Sequence, residues 1–291
     1  MVPTKKEIPV MILFMFPAFV LFAAFFLIPI ISIGYMSFFS WDGVNEGVFS
    51  GFANYTRIFS HDVFWRSLRN NVIWAFAAVF VQVPFALLMA LILSQRPRGW
   101  KFFRTVYFLP QVISGIAIAT LWSSVYNSEF GLLNGILRAF GQDHLARNWL
   151  GDPQTALISV VIFGLFYIGF YMVIMMAGIT DIDDTYYEAA TIDGANRIQM
   201  AGLITLPLIR HSILTCVTLA AVFGLRTFEQ VFLMTNGGPA NRTSVLVLYL
   251  FNQMRNNNFG GANATSVMLI LTGALVILLI RSLFKIGTDK D

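Results

Sequence analysis

The stretch Glu188–Pro207, EAATIDGANRIQMAGLITLP, lies between two long apolar runs and carries carboxylates, amides and glycines. Hydrocarbon offers such groups no partners, so a chain built of membrane spans must hold this stretch at an aqueous face. The surrounding composition supports that reading. Of 291 residues, 57% are hydrophobic and 12% charged, and a soluble domain would carry about twice that charged fraction. Together with 29 phenylalanines and several nearly uncharged runs long enough to cross a bilayer, this describes an all-α membrane protein with several spans.

Six spans are expected, at about 9–39, 67–94, 105–126, 154–179, 207–235 and 265–284, within a single domain covering 1–291. The first apolar run is too long, and has too little small-residue patterning at its end, for a cleaved leader, and reads as a retained span. The segment SVLVLYLFNQM, from Ser244 to Met254, is too short to cross and is expected to lie at the surface or pack on the bundle. The basic residues set the orientation. The tight loop with Arg96, Arg98, Lys101 and Arg104, and the lysines Lys5, Lys6, Lys285 and Lys290, fall on the side of the termini. By the positive-inside rule both termini and the loop 180–206 are cytoplasmic. The net charge of +4 therefore marks one membrane face and gives no reason to expect nucleic acid.

Enzyme chemistry finds little to stand on. The chain has no G-x-x-x-x-G-K-[ST] phosphate loop and no G-x-S-x-G nucleophile turn. His61, His144 and His211 are isolated, and the single cysteine, Cys216, excludes an intrachain disulfide and a cysteine metal cluster. No catalytic residue and no metal site is expected.

Two sets of residues inside the spans carry more. Phe163, Tyr167 and Phe170 recur at i, i+4 and i+7 and share a face of the fourth span, while Ala220, Phe223, Gly224 and Thr227 do so on the fifth. In so phenylalanine-rich a chain, packing is the ordinary account of the aromatic residues. Arg226 and Glu229 are harder to dismiss, because ionised groups at membrane depth face a partner or a watery cavity. Their i, i+3 spacing lets them neutralise each other; the other reading is that they border a polar pathway. Rings beside hydrogen-bonding groups suit a sugar, whose C–H faces stack while its hydroxyls need donors and acceptors.

The loop itself reads as two short helices. Asp183 or Asp184 caps the first, Gly194 ends it, the second runs from about Asn196 to Leu203, and Pro207 suits the first turn of the next span. Ala189 and Ala190 keep one side small, and Glu188 and Asp193 place negative charge at its rim. Such a helix suits a groove on a partner protein.

The pattern E-A-A, three residues, G, nine residues, I-x-L-P is filled by Glu188, Ala189, Ala190, Gly194, Ile204, Leu206 and Pro207. It resembles the signature loop of inner-membrane permease subunits of binding-protein-dependent ABC importers. The Asp193-Gly194-Ala195 variant, FANYTRIF at 52–59 and TNGGPANRTSVLVLYLFNQ at 235–253 resemble the carbohydrate branch, specifically the maltose- and glycerol-phosphate-type first permease. No loop has room for the large external domain of some maltose-type subunits. The resemblance implies a six-helix permease bundle in a bacterial cytoplasmic (inner) membrane. It implies a second, homologous permease, two ATP-binding cassette ATPase subunits carrying ATP and magnesium, and an extracytoplasmic solute-binding protein, with no cofactor on this chain. The loop helix, through Glu188, Ala189, Ala190, Asp193 and Gly194, would couple to the ATPase. The substrate cavity would fall on Phe163, Tyr167, Phe170, Phe223 and Thr227, beside Arg226 and Glu229. An oligosaccharide is the expected cargo, with a glycerol-phosphate-type substrate or an ion-coupled secondary sugar carrier as alternatives.

Overall fold

The computed structural model describes residues 7–283; Lys5, Lys6, Lys285, Lys290 and the end of the sixth expected span at 284 lie outside them. Helices Leu13–Met36, Asp62–Ser94, Ala156–Thr180 and Phe259–Ser282 are each long and apolar enough to cross a bilayer. Two further pairs reach that length only as bent segments: Trp100–Gln111 with Gly115–Val125, at 98°, and Arg197–Leu208 with Arg210–Leu225, at 72°. Counting each bent pair as one span gives up to six segments long and apolar enough to cross. The only strands among the described residues are the short antiparallel pair Phe39–Ser40 and Val48–Phe49.

Proline places many of the irregularities. A π-helical turn occupies Ala23–Leu27, Ala78–Gln82 and Ala201–Thr205, and in each case a proline follows two residues later, at Pro29, Pro84 and Pro207. A proline ring clashes with the carbonyl four residues back and supplies no N–H, and a wider turn relieves both problems. Pro207 consequently sits inside the first limb of the bent fifth span rather than at its start, and the helix breaks at Ile209, whose φ, ψ of −91°, 12° are not helical. Pro110 in the short turn Leu109–Gln111 and extended Ser114 break the third span.

Contacts divide the chain into two compact units. One holds the described residues up to His61 together with Leu250–Ile270; the other holds Asp62–Tyr249 together with the described residues from Leu271 onward. In the first unit the FANYTRIF stretch has a structural task. Buried Asn54 donates from Nδ2 to the carbonyls of Ser37 (2.9 Å) and Phe39 (2.8 Å), and Gly260 packs so closely on the Phe39 carbonyl that no Cβ would fit.

The second unit is built on the second, fourth and fifth spans. Small residues Ala78, Ala86, Ala90, Ala220 and Ala221 interleave with Tyr171, Met172, Met175 and Met176 in its core. Small side chains let membrane helices approach to backbone contact, and at Gly224 a Cβ would lie 2.7 Å from the Ala75 Cα.

The second span begins at Asp62, earlier than hydropathy suggests, because its polar side chains face protein. Asn71, fully buried, donates from Nδ2 to the carbonyls of Gly224 (3.2 Å) and Leu225 (2.9 Å) and accepts the Leu246 N–H at 2.7 Å. One amide thus satisfies the open end of the helix Arg210–Leu225 and the start of the helix Leu246–Arg255. Leu246, Leu248 and Tyr249 are buried on that second helix, so the short apolar segment packs as expected.

Candidate functional site: a cavity among helix breaks and an exposed capped helix

A cavity of about 600 Å³ opens in the second unit, between the second, third, fourth and fifth spans. Six of the expected pathway residues line it: Tyr167, Phe170, Phe223, Arg226, Thr227 and Glu229. Phe163 does not. It is fully buried and packs against Trp122 and the edge of Tyr167, with ring centroids 5.6 Å away in both cases. The cause is a break in the fourth span: the helix Ala156–Leu165 stops and Gly169–Thr180 restarts, so the i, i+4, i+7 projection does not carry across.

The fifth span breaks at the same cavity. Its helix ends at Leu225, Phe228 has φ, ψ of −142°, −60°, and a short helix Glu229–Met234 follows. Arg226 and Glu229 are therefore not on one helical face, and no ion pair joins them. Glu229 instead turns its carboxylate to the third span, where a Cβ on Gly115 would lie 2.5 Å from Glu229 Oε2. Gly115 opens the helix Gly115–Val125, whose free N–H groups and dipole favour a negative charge there. Phe170 and Phe223 meet edge to face across the fourth and fifth spans, at 6.4 Å and 72°.

Trp74, Gln82, Gln111 and Gln230 also line the cavity; helical periodicity alone does not reveal them. Gln82 and Gln111 carried a legible signal, since an amide within an otherwise apolar span demands partners. Trp74 carried none, because its place follows from Gly164, where a Cβ would run into the indole ring. Rings and amides of this kind can grip a polyhydroxylated ligand by stacking and hydrogen bonding.

The loop forms a second, separate constellation. Asp183 caps the helix Asp184–Ile192, its Oδ1 accepting the Thr185 N–H at 2.9 Å. That bond holds the Asp183 carboxyl below its ordinary pKa. A depressed pKa means the cap is fully in place at neutral pH and is lost only as pH falls through the lowered value. The other end closes with Gly194 at φ +78°, its N–H donating to Thr191 O (3.1 Å) and the Ala195 N–H to Ala190 O (2.9 Å). This pair of bonds is the Schellman ending, which favours glycine for its left-handed residue.

Asn196 then opens the next helix with a capping box: its Oδ1 accepts from Ile198 N and Gln199 N, and its own N–H donates to Gln199 Oε1 at 2.8 Å. This helix does not stop near Leu203 but runs on to Leu208. Glu188, Ala189, Asp193 and Gly194 are exposed and Ala190 is half-buried. Alongside them Ile192, Ile198 and Leu203 are 87%, 84% and 77% exposed, three aliphatic side chains that fall outside the motif.

Residues 82–286 match the family described as the binding-protein-dependent transport system inner membrane component. The chain belongs to this family. It is 37% identical over 296 residues to the probable ABC transporter permease protein YurN of Bacillus subtilis (strain 168), with both chains fully covered. It is 33% identical to the trehalose/maltose transport system permease protein MalF of Thermococcus litoralis, covering 84% of this chain and 81% of that one. A solved bacterial ABC transporter involved in importing the acidic polysaccharide alginate shares the fold, with a TM-score of 0.83 at 22% identity and 98% of each chain covered. The chain is accordingly a multi-pass inner-membrane permease of an ABC importer. For such a permease, the two constellations described above are the candidate sites for cargo and for partner contact.

Proposed function

We propose that this permease forms part of the translocation pathway for a neutral oligosaccharide and takes its energy from a separate ATPase through the Asp184–Ile192 helix. The cavity carries the reading: Tyr167, Phe170, Phe223 and Trp74 supply ring faces, while Gln82, Gln111, Gln230 and Thr227 supply uncharged polar groups. That mixture suits pyranose rings better than ions. A relative named for trehalose and maltose transport points to the same class.

In this reading a second, homologous permease completes the pathway, two ATP-binding cassette subunits below hold ATP and magnesium, and an extracytoplasmic binding protein delivers the sugar. The chain itself carries no catalytic residue and no cofactor. Exposed Ile192 and Ile198 beside Glu188 give the loop the apolar anchors and charged rim of a docking surface. ATP-driven closure of the ATPase pair would move this helix and rock the permeases between inward- and outward-facing states.

One observation favours a second reading. Arg226 lines the cavity without an ion pair to Glu229, which would suit an anionic cargo such as a glycerol-phosphate diester. Glu229 in the same cavity weighs against it by repelling such a ligand. Competition for uptake separates the two: with the cognate binding protein present, unlabelled neutral di- to pentasaccharides should compete with transported cargo and glycerophosphodiesters should not. Competition by the phosphodiesters alone would overturn the neutral assignment.

A further inference from the structure

We propose that Gln82, supported by Gln111, is a positioning residue that holds open the break in the fourth span and so aims residue 167 into the cavity. The proposal takes from the pathway reading only that the cavity is water-filled. Gln82 is 7% exposed in the middle of an apolar span. Its Nε2 donates to two main-chain carbonyls at the break, Gly164 O at 3.1 Å and Tyr167 O at 2.9 Å. Gln111 Nε2, from the bend of the third span, donates to the same Tyr167 O at 3.3 Å.

Carbonyls at a helix break lose regular donors, and a dry interior makes substitutes obligatory. Here the substitutes come from two other spans, so the irregularities of the second, third and fourth spans meet at one oxygen. Gln82 closes the π turn Ala78–Gln82, and the extra residue of such a turn shifts the facing of the helix beyond it. Gly169, which starts the second half of the fourth span, permits no Cβ beside the Tyr107 carbonyl, so the restart is fixed sterically as well. With the break in place, Tyr167 and Phe170 line the cavity while Phe163 remains in the core.

Because the bonds go to backbone oxygens, they persist whatever side chain stands at 167, which permits a direct test. In the assembled importer, Tyr167→Cys in a Cys216→Ala background is labelled with a charged methanethiosulfonate reagent, with and without changes at Gln82. Gln82→Met loses both donors at similar volume, and Gln82→Glu keeps the shape but replaces the two N–H donors by at most one O–H, present only when the carboxyl is protonated. Both should slow labelling at 167 by about tenfold or more, as expected for two lost hydrogen bonds that bias a local equilibrium. Gln111→Met should slow it less, by about threefold.

In a separate Gln82→Met chain that keeps Tyr167 and Cys216, the fully buried Cys216 is the control for general loosening and should stay unlabelled. The proposal is overturned if labelling at 167 stays within about twofold of the parent in both Gln82 variants and in Gln111→Met. It is also overturned if Cys216 becomes reactive in parallel, since Gln82 would then only support packing. Uptake that survives both Tyr167→Ala and Phe223→Ala, with labelling at 167 still governed by Gln82, would sink the pathway reading and leave the positioning role supported.

Discussion

Gly194→Val should abolish uptake while the chain still inserts at normal levels. A Cβ at Gly194 meets nothing within 4 Å, so the substitution creates no clash. The cost lies in the backbone: at φ +78° a side chain strains the left-handed conformation by about 1–2 kcal/mol, and more for a branched residue. The Schellman bonds from Gly194 and Ala195 would loosen, and the last turn carrying Glu188, Ile192 and Asp193 would lose its placement. None of these residues belongs to the buried core, so insertion and folding are spared. Glu188→Ala tests the same surface without touching the backbone. The Glu188 side chain is exposed and makes no hydrogen bond within the described residues, so its loss should leave the helix intact. ATPase co-purification should fall about tenfold or more in either variant, the scale of one interface hot spot. Wild-type uptake in both would dismiss the coupling helix.

Tyr167→Ala and Phe223→Ala should each cut uptake by about ten- to a hundredfold, the loss expected when one ring leaves a stacked contact. The two probe cavity linings contributed by different spans. Tyr167 follows the break of the fourth span, and Phe223 lies near the end of the helix Arg210–Leu225. Both are far in sequence from the loop, so the complex should assemble and basal ATP hydrolysis should persist. Full uptake and full substrate-stimulated ATPase activity in both variants would show that the cavity is not on the pathway.

Much of this organisation is legible in the sequence for identifiable reasons. The capped loop helix is legible because its signals are local: Asp183, Gly194 and the Asn196–Gln199 box act within a few residues of themselves. The spans are legible as apolar runs. Their interruptions are not, because hydropathy averages over a window and sees neither the π turns before Pro29, Pro84 and Pro207 nor the bends at 98° and 72°. Phe163 shows the consequence, since a face drawn with uninterrupted helical periodicity does not carry across the break between Leu165 and Gly169. Arg226 and Glu229 fail as a pair for the same reason.

Long-range partnerships were equally hidden. Ser67, Asn70 and Asn71 look like a poor start to a membrane span, yet all are buried. Asn70 and Asn71 serve carbonyls more than 150 positions away. The exposure of Ile192, Ile198 and Leu203 is likewise a tertiary fact: in sequence they are ordinary aliphatic residues, and only the packing of the loop shows that its own chain leaves them uncovered.

The most direct test of the whole account is uptake into proteoliposomes holding this chain with its permease partner and ATPase. ATP is sealed inside, and the binding protein loaded with radiolabelled sugar is supplied outside. Accumulation should require ATP, its hydrolysis and the binding protein together, and should vanish with Gly194→Val. Accumulation driven by a sodium or proton gradient, without ATP or binding protein, would contradict the account.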